Sequence, residues 1–246
     1  MEFLHVIVPQ GTADNPKKEA TFLQFLQNLH KTAHHKHLSF ELFGYNQYTY
    51  FFIGVEPDIV KLVEGLLYSS YPDCEIKPVK DYTSVFDPKK QVLLGTSAKL
   101  AVSDIYPFKT YEDFESDSLS GIFSVVSKLA RNEQSWVQIL AVPIDEDWKY
   151  HFKRRVTMRI NRFMRKFRLK NYVRIKDKKT YYDEEDALFI HKSEHEPFQI
   201  QLRFGAVAEN EENAKKNLLA LAKAFFQFNK TDANHFVLDK VKKGPA

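Results

Sequence analysis

Along the 246 residues, short apolar runs trade places with stretches in which apolar side chains recur every three or four positions. Phe3 to Val8 is a continuous run closed by Pro9, the mark of a buried strand. Gly11 to Pro16 is turn chemistry, and Asn15-Pro16 joins a good N-cap to a proline at the first helical position. Phe22, Phe25, Leu26 and Leu29 then predict a helix reaching about Ala33. Leu38 to Tyr45 and Tyr48 to Val55 are aromatic and β-branched, and Asn46-Gln47 between them predicts a β-hairpin. Pro57 opens a second helix with Ile59, Leu62, Val63, Leu66 and Leu67 on one face, and Cys74 to Tyr82 reads as another strand.

A similar order follows. Val92 to Val102 predicts a strand, and Asp117 caps a helix through Leu119, Ile122, Phe123, Val126 and Leu129. Trp136 to Val142 predicts a strand closed by Pro143. Phe198 to Val207 alternates as a strand should, Leu218 to Phe226 is an amphipathic helix, and His235 to Val241 is a last strand. The expected fold is therefore α+β: two tandem ferredoxin-like (βαββαβ) units, 1–85 and 86–246, the second with a basic helical insertion at 145–196. The duplication rests on element order, since the halves share no obvious sequence repeat.

Charge changes this picture at one place. Fourteen Lys or Arg and a single acid, Asp177, lie between Lys149 and Lys179, a window of 14 − 1 = +13 in a chain of net charge +4. The remainder therefore sums to 4 − 13 = −9. On a helix, Phe152, Val156, Ile160, Phe163 and Phe167 fall in one narrow arc beside a stripe of Arg155, Arg159, Arg162 and Lys166. Arg154, Arg165 and Arg168 lie farther round. Three readings stay open. The stripe is a solvated outer face, a contact for the phosphates of nucleic acid, or a contact for anionic lipid or an acidic protein. The bidentate fork of arginine suits phosphate.

Composition bounds the rest. Hydrophobic content of 43% suffices for a core, and 28% charged residues is ordinary for a globular chain. Cys74 is the single cysteine, so no internal disulfide can form. No apolar run approaches the ~18 residues of a membrane span, and Glu2 sits where a signal peptide would carry a basic residue. The eight glycines, at 11, 44, 54, 65, 95, 121, 205 and 244, make neither a phosphate-binding P-loop nor a dinucleotide fingerprint. No cofactor, metal or catalytic residue is expected. His30, His34, His35 and His37 read as solvated histidines at a helix end, where positive charge is favourable. Glu184, Glu185, Asp186, His191 and His195 read as an acidic loop balancing the basic helix. Tyr48, Tyr50 and Phe52 share one face of a strand. That strand is expected to be buried on both sides rather than to stack bases.

Several blocks carry a resemblance. PDCEIKPVKDYT (Pro72 to Thr83), the block from Tyr106 to Pro143, the block from Pro197 to Asn229, and SFELFG (Ser39 to Gly44) together resemble the region preceding the motor domain in conjugation-type ATPases of the type IV secretion and coupling-protein class, in uncultivated bacteria. Such proteins begin with a membrane-spanning segment and continue into an ATPase core, and this sequence contains neither. The resemblance implies a non-catalytic scaffold or docking domain on the cytoplasmic side, at the inner face of the membrane through a segment or partner outside this chain. The partner it implies is the translocation ATPase or another protein of the secretion apparatus. The alternative is a free-standing nucleic-acid-binding protein using the basic helix 149–179. The resemblance carries no catalytic residue onto this sequence.

Overall fold

The structure is a computed structural model, and it describes residues 1–7, 18–82, 86–115, 117–145, 147–148, 150–152, 154–155, 157–158, 192, 195–231 and 233–244. In chain order the strands are β1 (Glu2–Ile7), β2 (Leu38–Tyr45), β3 (Tyr48–Val55), β4 (Glu75–Val79), β5 (Val92–Leu100), β6 (Gln134–Pro143), β7 (Phe198–Ala208), β8 (Phe236–Leu238) and β9 (Lys242–Lys243). The helices are α1 (Lys18–Thr32), α2 (Val60–Ser70), α3 (Ser120–Val126) and α4 (Glu211–Ala224).

Among the described residues the strands form one nine-stranded sheet in the order β4-β1-β3-β2-β6-β7-β5-β8, with β9 also on β5, and every pairing is antiparallel. This corrects the expectation of two tandem ferredoxin-like units. The joint is the pairing of β2 with β6, which runs the full length of β2 from Leu38↔Ala141 to Tyr45↔Gln134. The physical reason lies in LSFELFGY. As the edge of a separate unit, this strand would offer eight residues of unpaired backbone carrying mostly apolar side chains, with one charge, Glu41, to block a partner. Pairing with β6 saturates that backbone. The real edges are short: β4 contains Pro78, β8 has three residues and β9 has two.

One face of the sheet carries α1, α2, α3 and α4. Leu4, Leu38, Ile53, Val55 and Ile76 meet Phe25 and Leu29 of α1 and Val63 and Leu67 of α2. Leu42, Leu94, Val137, Leu202, Phe204 and Ala206 meet Ile122 and Val126 of α3 and Leu218, Leu221 and Ala222 of α4. Leu38 of the first cluster and Leu42 of the second are four residues apart on β2, so the two clusters lie on the same face. The sequence of α4 explains its docking. Asn210 caps it, accepting from the Asn213 N–H at 2.9 Å, and Glu211 and Glu212 stand at its positive end. Leu218 and Leu221 are fully buried, each stabilising by roughly 1.5–3 kcal/mol. Gly44 in β2 admits α3, because a methyl there would overlap Val126.

The opposite face presents odd-numbered residues of β1, β2 and β7 and even-numbered residues of β3 and β6. Register sets them in rows across the sheet. One row runs Tyr50, Phe43, Trp136, Gly205. The next runs His5, Phe52, Glu41, Gln138, Arg203, Ser97. Among the described residues, no helix is long and apolar enough to cross a membrane.

Candidate functional site

The inserted segment leaves and re-enters the sheet at one point. Pro143 at the end of β6 pairs with Phe198 at the start of β7, and the Ile144 N–H donates to the Pro197 carbonyl at 3.2 Å. Asp145 and Glu196 therefore begin and end the insertion side by side. The C-terminal end of α1 lies against the same rim. Its last turn closes with Ala33 N–H bonding to Leu29 O at 2.8 Å, and His35 then adopts φ 58°, the left-handed region uncommon for a residue with a Cβ. The His35 N–H donates to the Pro143 carbonyl at 3.2 Å, which ties the helix end to β6.

This arrangement gathers three histidines. His30, expected in solvent, is only 5% exposed. Its Nε2 donates to Ile144 O at 3.0 Å, its Nδ1 lies 3.8 Å from Glu196, and its ring stands edge-on to Phe198. His34 donates from Nε2 to Oδ1 of Asp145 at 2.5 Å, and His35 Nε2 lies 3.5 Å from Oδ2. The His34 bond and the neighbouring His35 hold the Asp145 carboxyl below the usual carboxylate range. His34, His35 and Asp145 have one ligand atom each within 4.8 Å of one another. His37 turns away and meets Glu56 through its N–H and its ring. The histidine spacing was visible in sequence. Asp145, 111 residues from His34, carries no sequence signal linking it to them.

On the other side of the rim, residues 147–158 are helical where described. Phe152 is fully buried against Ile105, Tyr106 and Trp148, stacking on the Trp148 ring at 4.7 Å. Arg155 forms a bidentate pair with Asp104 at 2.8 and 3.0 Å. Burial raises the Asp104 carboxyl, and the Arg155 bonds outweigh it and bring it below its usual value. Lys192 reaches into the same loop and donates to the carbonyls of Asp104 at 2.5 Å and Tyr106 at 3.5 Å. Burial pushes its ammonium below the usual lysine range. Asn234 donates to the carbonyls of Ser103 and Tyr106 at 3.1 and 3.2 Å.

The residues predicted to contact phosphate divide accordingly. Arg154 is exposed, and Arg155 is held by Asp104. Arg159, Arg162, Arg165, Lys166 and Arg168 lie outside the described residues, as do Val156, Ile160, Phe163 and Phe167 of the apolar arc. Glu184, Glu185, Asp186 and His191 also lie outside them.

On the sheet face opposite α1 to α4, Phe43 and Phe52 are buried beneath Tyr82, while Tyr50 and Trp136 are half-buried at the margin. Tyr48 stands in solvent at the hairpin. The strand expected to be buried on both sides is thus buried toward Val55 and open toward Tyr48. Glu41, on this face, is 5% exposed and accepts a hydrogen bond from the Tyr82 hydroxyl, which in turn accepts from Gln138 Nε2 at 3.4 Å.

Comparison with known proteins adds little chemistry. No match was found among curated proteins. Among solved structures, aclacinomycin oxidoreductase is similar over 92% of this chain and 41% of its own, with 9% identity and a TM-score of 0.37. A single-substitution variant of berberine bridge enzyme is similar over 94% and 42%, with 10% identity and a TM-score of 0.35. The chain thus spans about two-fifths of the length of either, and neither likeness is close enough to carry fold or activity across. A family model described as "Domain of unknown function (DUF8128)" matches residues 6–242, nearly the whole chain, and the protein belongs to that family.

Proposed function

We propose that the protein is a non-catalytic docking module serving a translocation ATPase of the type IV secretion and conjugation class, with the basic segment 149–179 as its contact. One observation carries this reading. A window of +13 lies within an insertion between two strands paired with each other to their ends, so the sheet rim holds the two ends of the insertion that carries it. Such a window attracts an acidic or phosphate-bearing partner more strongly than the chain's net charge suggests. The anchoring of Phe152 and the Arg155–Asp104 pair fix where the segment begins. The chain lacks the glycine spacing of a nucleotide-binding loop, which fits a module that works beside a motor.

The test mixes the purified chain with the motor domain of such an ATPase from the same genome and measures binding by calorimetry at low salt. Binding is expected. It should be lost when Arg154, Arg159, Arg162 and Lys166 become Glu, with the melting transition unchanged. Arg155 is left in place because Asp104 needs it. If the motor does not bind but duplex DNA does, with a log-log salt slope near roughly −3.6 for four contacts, free-standing nucleic-acid binding replaces docking. If neither binds, both readings fail.

A further inference from the structure

We propose that His34, His35 and Asp145 form a binding site for a divalent transition metal of the zinc class. The donor set is two imidazole nitrogens and one carboxylate oxygen, all within 4.8 Å of one another. Zinc binds such donors at about 2.0–2.2 Å, which in a tetrahedron puts them roughly 3.4 Å apart. His35 Nε2 lies 3.5 Å from Oδ2 of Asp145, already at that distance, and His34 Nε2 lies 2.5 Å from Oδ1, so a small turn of the carboxyl brings one oxygen to serve both imidazoles. All three side chains face solvent in part, so an ion has an entry path and a fourth position for water. Imidazole donors select zinc, copper, nickel or cobalt over magnesium and calcium, which prefer oxygen.

The backbone brings the three together before any ion arrives. Successive residues of a regular helix point about 100° apart. The left-handed turn at His35 breaks that progression and lets its ring lie 4.3 Å from the His34 ring. The bond from the His35 N–H to Pro143 O then fixes this turn two residues from Asp145. His30 supports the site without joining it. Its Nε2 is engaged by Ile144 O, and its ring meets His34 edge-on at 5.8 Å.

The bound ion would staple the end of α1 to the point where the insertion leaves β6. This inference stands independently of the docking reading.

The experiment uses the full chain, freed of any affinity tag and stripped with chelator. Zinc chloride is titrated by calorimetry, cobalt chloride is followed by visible absorption, and magnesium chloride serves as the oxygen-preferring control. One zinc per chain is expected, with a dissociation constant of micromolar or below. A cobalt spectrum of four- or five-coordinate type and a higher melting temperature with zinc should accompany it. His34→Ala, His35→Ala and Asp145→Asn should each weaken zinc binding about a hundred-fold, and His235→Ala should leave it unchanged. The three side chains are exposed, so the variants should melt like the wild type without metal. If one fails to fold, the other two still decide. Absence of stoichiometric zinc binding in the wild type overturns the proposal, and so does binding that survives all three substitutions.

Discussion

Tyr82 donates its hydroxyl hydrogen to the carboxylate of Glu41, at the seam where β2 joins β6. Its ring lies 4.6 Å from that of Phe52 with the planes 4° apart, so the aromatic contact aims the hydroxyl at a carboxylate that is only 5% exposed. Gln138, the β6 neighbour of Glu41, donates to the Tyr82 hydroxyl oxygen. One residue from the segment after β4 thus caps both strands of the joint.

Tyr82→Phe keeps the stacking and removes the donor. Glu41 then loses a charge-assisted partner in a buried place, and stability should fall by ~1–3 kcal/mol. Urea unfolding of the two proteins measures it. A difference near zero would mean that solvent reaches Glu41 without cost.

The same pair predicts an alkaline effect. Burial, and then the nearby Glu41 charge, push the Tyr82 phenol above the ordinary tyrosine range. A group whose folded pKa is raised contributes stability that is complete below its unfolded pKa, about 10, and is lost as pH rises through the folded value. The stability gap between wild type and Tyr82→Phe should therefore shrink above about pH 10. Absorbance titration should show at least one of the twelve tyrosines still neutral when ordinary ones have ionised, and Tyr82→Phe should remove that late step. If all titrate together near 10, the phenol is not buried as described.

Trp136 lies across Gly205, its direct neighbour on β7, and a methyl there would overlap the indole. Gly205→Ala should cost about 1–3 kcal/mol through overpacking. It should also alter the fluorescence of Trp136, while Trp148 at the far rim stays as it is. Unchanged stability together with an unchanged spectrum would contradict the close approach.

Phe152 and Arg155 both anchor the start of the basic segment, by different physics. Phe152→Ala removes a fully buried ring and should cost about 3–5 kcal/mol. Arg155→Ala breaks an ion pair half open to solvent and should cost less than ~1 kcal/mol. Chemical denaturation of both variants ranks them, and the reverse order would mean that charge rather than packing holds the segment.

Local pattern determined the elements of this protein. The hairpin of β2 and β3 stands at Leu38–Tyr45 and Tyr48–Val55, where aromatic and β-branched runs flank Asn46-Gln47, and both turn residues take the positive φ such a hairpin needs. The apolar spacing of α1, α2 and α4 matched the faces they bury, with Phe22 of α1 the exposed exception, because a helix periodicity is a property of neighbours three and four apart. The +13 window was equally plain, since charge is counted along the chain.

Tertiary structure decided what those elements assemble into. Whether β2 ends a sheet or continues into β6 depends on the meeting of Leu38–Tyr45 with Gln134–Pro143, about a hundred residues away, and strand pattern is the same for either outcome. The burial of His30 and the convergence of His34 and His35 on Asp145 depend on the same distant pairing, which carries the end of β6 to the end of α1. Tyr82 reads as one more strand residue until the fold lays it over Phe52 and Glu41. Periodicity records which way a side chain points from its own element. Which groups then meet is set by contacts between elements far apart in sequence, and those leave no local trace.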